Sequence, residues 1–271
     1  VMTVGAAGAL NVVLKALLNE GEEVILLAPY FAEYGFYVDN HGGVARVVHT
    51  DANFDPDPKA LAAAIGPKTR AVIVNTPNNP TGRVYSHSTV EGLGRLLDAK
   101  QRELGSTIYL VTDEPYRALV HDDIDVPVVA TYYRNTITCT SHSKDMGLPG
   151  ERIGHIAVSP EVADAAELVN GMAFAIRTLG FVNAPALMQR AVAEVLDCTV
   201  AVDFYRRNRD TLYEALRGLG PERLDGLREP RLVEAAPRDD GLAGLEIDRG
   251  GRDARRLFEG APDGPRAVVA G

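Results

Sequence analysis

The sequence predicts an α/β protein of three layers, α/β/α, around a mostly parallel, doubly wound sheet. Three observations carry this reading. Six short runs rich in β-branched residues recur between residues 24 and 158, and most are nearly continuous apolar stretches, the pattern of strands buried on both faces. Longer amphipathic stretches separate several of them, so strand and helix alternate, as right-handed crossovers require. Of the 271 residues, 46% are hydrophobic and 24% charged, a balance that can bury a core and argues against extended disorder.

In chain order, residues 1–4 are apolar and lead through the small-residue turn Thr3-Val4-Gly5-Ala6-Ala7-Gly8-Ala9-Leu10 into a helix over 6–18. Strands follow over 24–28 and 45–49, a helix over 58–64, a strand over 71–74, and a helix over 88–104. The remaining strands are 108–112, 136–140 and 153–158, and the remaining helices lie over 162–173, about 184–196 and about 202–216. Past Gly220 the composition changes: from Pro221 to Gly271 there are nine Arg, no Lys, five Pro, eight Gly and one aromatic, with no sustained period. This stretch reads either as a loosely packed segment or as the product of a shifted reading frame.

Charge and composition exclude several classes. The net charge of −9 makes a poor general ligand for nucleic acid or an anionic membrane, and no segment approaches the roughly 18 apolar residues of a membrane span. Cys139 and Cys198 cannot form a disulfide framework, and no histidines stand at zinc spacing from them. The expectation is a reduced, cytoplasmic protein with no metal, nucleic-acid or membrane partner. The chain opens at Val1 without an initiator methionine, so a preceding segment is expected.

In doubly wound sheets ligands collect beyond the C-terminal ends of the strands, so the residues after each run matter most. The run 71–74 enters Asn75-Thr76-Pro77-Asn78-Asn79-Pro80-Thr81-Gly82, which is either a stiff turn or a polar Asn79 held on a rigid peptide able to adopt the cis form. The run 108–112 enters Asp113-Glu114-Pro115-Tyr116: Asp113 is either a helix cap or a buried carboxylate aimed at a cationic ring nitrogen, with Tyr116 supplying a phenol. The run 136–140 enters Ser141-His142-Ser143-Lys144, with Arg152 eight residues beyond the lysine. That is either a solvated charged loop or a nucleophilic lysine beside a phosphate cradle of arginine and hydroxyls. The turn at Gly5-Ala6-Ala7 lets backbone amides approach an anion at the positive end of a helix. His142, with no special spacing, reads as a bystander.

Taken together, Asn79-Pro80-Thr81-Gly82, Asp113-x-x-Tyr116 and Ser141-x-Ser143-Lys144 followed by Arg152 resemble the fold-type I, pyridoxal-phosphate (PLP) dependent aminotransferases of class I/II, the aspartate aminotransferase-like group. The resemblance covers roughly residues 1–220 and marks the chain as a fragment. It implies a PLP-binding large domain over 1–200 and the start of a small C-terminal domain over 201–271, atypical after about 220.

By the same resemblance, Lys144 is the lysine that holds PLP as a Schiff base and shuttles the proton, and Asp113 pairs with the pyridine nitrogen. Asn79 and Tyr116 hydrogen-bond the ring oxygen. Ser141 and Arg152, assisted by Ser143 and the backbone at Ala6 and Ala7, bind the phosphate, and Phe31 stacks on the ring while Tyr30 packs. The implied activity is ping-pong transfer of an amino group between an amino acid and a 2-oxo acid, in a homodimer. A PLP-dependent β-lyase and a non-catalytic effector domain of a transcription regulator are the alternatives. The chain departs from the pattern in two places. Ala7 offers no side-chain contact to the phosphate where many relatives have Ser, Thr or Lys. None of the nine arginines between 223 and 266 matches the one that binds the substrate carboxylate.

Overall fold

A computed structural model describes residues 1–121 and 124–217. The arginine-rich stretch 221–271 lies outside the described residues. Val1–Asp210 forms one compact unit, distinct from the unit that begins at Thr211. Its centre is a seven-stranded sheet in the order β1-β7-β6-β5-β4-β2-β3. The strands are β1 (Met2–Thr3), β2 (Glu23–Ala28), β3 (Val44–His49), β4 (Thr69–Asn75), β5 (Tyr109–Asp113), β6 (Thr136–Ser141) and β7 (Gly154–Val158). The five strands from β3 to β6 in this order are mutually parallel, while β7 runs antiparallel to both β6 and β1.

The continuous apolar runs are explained by helices on both sides. Val24 and Leu26 of β2, Ala71 and Ile73 of β4 and Val111 of β5 belong to one buried cluster with α1 (Gly5–Leu17), α2 (Glu33–Asn40) and α6 (Ala165–Thr178). Their neighbours Ile25, Leu27, Val72, Val74 and Leu110 belong to the other, with α3 (Pro58–Ala64) and α4 (His87–Leu104). Successive side chains of a strand alternate faces, so a strand covered on both sides needs apolar residues at every position. At the edge, β3 has only one buried residue, Val48.

Helix ends are set by local chemistry. Asp57 accepts from the amides of Lys59 and Ala60 at 2.8 and 3.1 Å with Pro58 in the first turn, and Ser86 accepts from Thr89 at 3.0 Å. Gly105, at φ 65°, closes α4 in the left-handed conformation that glycine adopts without strain.

Four features depart from the sequence expectation. α2 was absent from it: its eight residues bury only Tyr34 and Val38, too short an apolar face to announce a helix. The segment after β6 is not a loop throughout but begins with one helical turn, α5 (His142–Asp145). β7 is antiparallel because residues 142–153 stay at the C-terminal edge of the sheet, so the next strand has to start there; a parallel return needs a crossover to the opposite edge. After α6, α7 (Ala186–Ala193) is shorter than the stretch read for it, and α8 spans Val202–Arg217. Among the described residues no helix is long and apolar enough to cross a membrane, no cluster of His, Cys, Asp or Glu could hold a metal, and both cysteines are free thiols.

Candidate active site

The parallel register lines up the strand ends that carry the chemistry. Asn75 at the end of β4 pairs with Asp113 at the end of β5, which pairs with Cys139 of β6, and Ser141 pairs with Gly154 of β7. Beyond these ends lies a cavity of about 360 Å³, within the usual range for small-molecule sites. All ten candidate residues line it: Ala6, Ala7, Phe31, Asn79, Asp113, Tyr116, Ser141, Ser143, Lys144 and Arg152. Residues far apart in the chain meet there because β2, β4, β5 and β6 all point their C-terminal ends the same way.

The carboxyl of Asp113 sits at the buried end. Its Oδ2 accepts the hydroxyl of Tyr34 at 2.6 Å, while its Oδ1 is buried with no hydrogen-bond partner. Burial pushes the Asp113 carboxyl from 3.8 up to about 7; the Tyr34 bond pulls it down and neighbouring Glu114 pushes it up. An unpartnered buried oxygen on such a group fits a cationic N–H donor. Burial, and then the nearby Asp113, also raise the Tyr116 phenol.

Asn75, which the sequence reading placed only in a turn, ties two strand ends together. Its Nδ2 donates to the Asp113 carbonyl at 2.8 Å, and its Oδ1 accepts the Asn79 amide at 2.6 Å. Asn79 follows on a cis Asn79–Pro80 peptide, and its Nδ2 donates to the Tyr116 hydroxyl at 3.4 Å. The Lys144 ammonium lies 5.9 Å from the Tyr116 ring centre. Phe31 forms a wall, edge-on to Tyr34 at 5.6 Å between ring centres.

At the other end, α1 starts with no side-chain cap, leaving its first amides open at the positive end of a thirteen-residue helix. Gly5 has φ 79°, and a Cβ there would stand 2.7 Å from Arg152 Nη2, so only glycine admits the guanidinium this close. Arg152 donates to the Pro149 carbonyl at 2.8 Å and the Val4 carbonyl at 3.4 Å, which aims it across the helix end. Open amides, a guanidinium and the Ser141 and Ser143 hydroxyls make an anion cradle.

Tyr34 and Asn75 are the residues the sequence reading missed. Tyr34 stands three residues after Phe31, but its role depends on a partner 79 positions away. Phenylalanine at 34 removes the bond that favours the Asp113 carboxylate. A hydrogen bond to a charged group is worth about 1.5–3 kcal/mol, so the Tyr34→Phe variant should titrate Asp113 about one to two pH units higher. The pH dependence of urea unfolding reads this; an unmoved midpoint would disconnect the hydroxyl from the carboxyl.

Residues 1–226 match the family model described as aminotransferase class I and II. The aspartate/prephenate aminotransferase of Thermus thermophilus is 34% identical over 230 residues, covering 81% of this chain and 56% of that protein. The aspartate aminotransferase of Thermotoga maritima is 31% identical over 224 residues, with 81% and 56% covered. A crystal structure of an amino transferase from Eubacterium rectale superposes with a TM-score of 0.78 at 44% identity, covering 81% of this chain and 56% of that one. The chain thus spans little more than half the length of these relatives.

Proposed function

The chain belongs to the class I and II aminotransferases, and from that membership we propose that it is the cofactor-binding part of a PLP-dependent transaminase, moving an amino group between an amino acid and a 2-oxo acid. The observation that carries this reading is the buried, unpartnered Oδ1 of Asp113 at one end of a cavity whose other end is an anion cradle. PLP has that polarity: a protonatable ring nitrogen at one end and a phosphate at the other. When bound, it supplies an electron sink for the charge left as a proton departs from the substrate carbon.

The chain's own residues do the rest. Lys144 Nζ is the amine that would hold the cofactor through its aldehyde, with loss of water, and would accept and return the proton at the substrate carbon. Asp113 Oδ1 would accept the ring N–H and keep the nitrogen protonated. Asn79 Nδ2 and Tyr116 Oη would hold the ring oxygen, and Phe31 would wall the ring. Arg152, Ser141, Ser143 and the amides of Ala6 and Ala7 would hold the phosphate. Residues 1–200 constitute the cofactor domain, and the protein works in the cytoplasm as a homodimer. Because relatives are named aspartate aminotransferases, aspartate is the first amino donor to test.

The purified chain, mixed with PLP and reduced with borohydride, should carry one cofactor on the peptide containing Lys144. Label on another lysine, or none on folded protein, overturns the cofactor assignment. Where aspartate is consumed, a matching 2-oxo acid supports transamination, whereas ammonia released with pyruvate from other donors assigns a β-lyase instead.

A further inference from the structure

We propose that His142 and Asp145 are a positioning pair that closes the helical turn carrying Lys144 and so sets where the lysine amine stands. The inference rests on the role given to Lys144 above and extends it to two residues outside the cofactor cavity. Lys144 lies within α5, a single turn of four residues. One turn fixes several backbone dihedrals for one hydrogen bond and is not stable by itself. Ser141, at its N-cap, makes no side-chain capping bond. Across the turn, however, His142 Nδ1 lies 3.0 Å from Asp145 Oδ2, the i,i+3 geometry of neighbours on one helix face. An ionised carboxylate only accepts, so Nδ1 carries the proton of this bond.

The pair is anchored at both ends. The His142 amide donates to the Ile153 carbonyl at 3.0 Å, and its carbonyl accepts the Leu148 amide at 3.1 Å. Asp145 Oδ1 accepts the Met146 amide at 2.8 Å, and its carbonyl accepts the Val200 amide at 2.7 Å and the Thr199 hydroxyl at 3.0 Å. Far from being a bystander in a solvated loop, His142 is 7% exposed, with the His155 ring of β7 tilted against it at 5.9 Å. Consecutive residues face opposite ways: Lys144 lines the cofactor cavity, while Asp145 lines a separate cavity of about 480 Å³ with Glu114, Arg117 and His155. The pair therefore acts on Lys144 from behind, through the backbone of the turn, without touching the cofactor.

The test compares His142→Phe, which fills the space but cannot donate, with His142→Asn, whose Nδ2 falls where Nδ1 was. Two quantities are read: amide hydrogen exchange over residues 142–148 in the chain without cofactor, and the rate at which PLP becomes borohydride-trapped on Lys144. The loss of a charge-assisted bond supports a change of about tenfold in each for the phenylalanine variant, with the asparagine variant within about twofold of the parent. A phenylalanine variant that matches the parent, or an asparagine variant as impaired as phenylalanine, overturns the proposal, the latter because it would make the effect one of packing. Should His142→Phe not fold, Asp145→Asn, which keeps the shape and removes the charge, should raise exchange about threefold; no change overturns it equally. If the parent chain never takes PLP on Lys144, the cofactor reading fails by itself, and exchange alone still judges the pair.

Discussion

Replacing Lys144 by alanine should abolish covalent capture of PLP and reduce any turnover by at least about 10²–10⁴-fold, the contribution of a positioned proton-transfer group. Lys144 is exposed on α5 and its ammonium only approaches the Tyr116 ring, so its loss leaves no buried group unpaired. Stability should stay within about 0.5 kcal/mol of the parent, as for surface substitutions. The anion cradle of Arg152, Ser141, Ser143 and the α1 amides is untouched, so the variant should still bind PLP reversibly, without the absorbance change that follows bonding to the amine. Turnover at the parent's rate would remove Lys144 from the reaction.

Asp113 gives the second large effect, and it can be read without any substrate. Its carboxyl titrates near 3.8 when unfolded and near 7 when folded, because burial disfavours the charged form. The folded state therefore binds an extra proton between these values, and stability contributed by the neutral carboxyl is full below about 3.8 and lost as pH rises through about 7. The span corresponds to about 4 kcal/mol, at about 1.4 kcal/mol per pH unit. Asp113→Asn should remove that dependence. Glu114, raised by burial, adds to the parent's slope in the same sense, whereas His41 and His155, lowered by burial, oppose it. The difference between parent and variant in urea unfolding from pH 4 to 8 is thus the quantity to measure, and identical slopes would contradict the buried-acid assignment.

Bound PLP should flatten the parent's slope, since a ring N–H facing Oδ1 favours the carboxylate. In turnover, Asp113→Ala should retain some cofactor through the phosphate cradle yet lose about 10²-fold or more, the usual cost of removing a preorganised electrostatic contact. An unchanged rate would contradict the role given to Asp113.

Much of this protein was legible before folding because the relevant signals are short-range. Strands 24–28, 71–74 and 108–112 announce themselves as nearly continuous apolar runs, and the site residues as polar side chains just past strand ends. Strand ends are where a doubly wound sheet exposes a ligand edge, so locating the strands located Asn79, Asp113, Tyr116 and Lys144.

What the chain's local pattern could not carry was decided by proximity in space. The reversal of β7 depends on where residues 142–153 travel, and α2 on whether Tyr34 and Val38 find a core to cover. The Tyr34–Asp113 bond joins residues 79 positions apart, the Asn75 clamp depends on register between β4 and β5, and the neutral tendency of Asp113 comes from desolvation by layers on both sides of the sheet. Propensity and periodicity are set by neighbours within a few residues, whereas burial, and with it the charge state of Asp113, is set by whatever the completed fold packs around it.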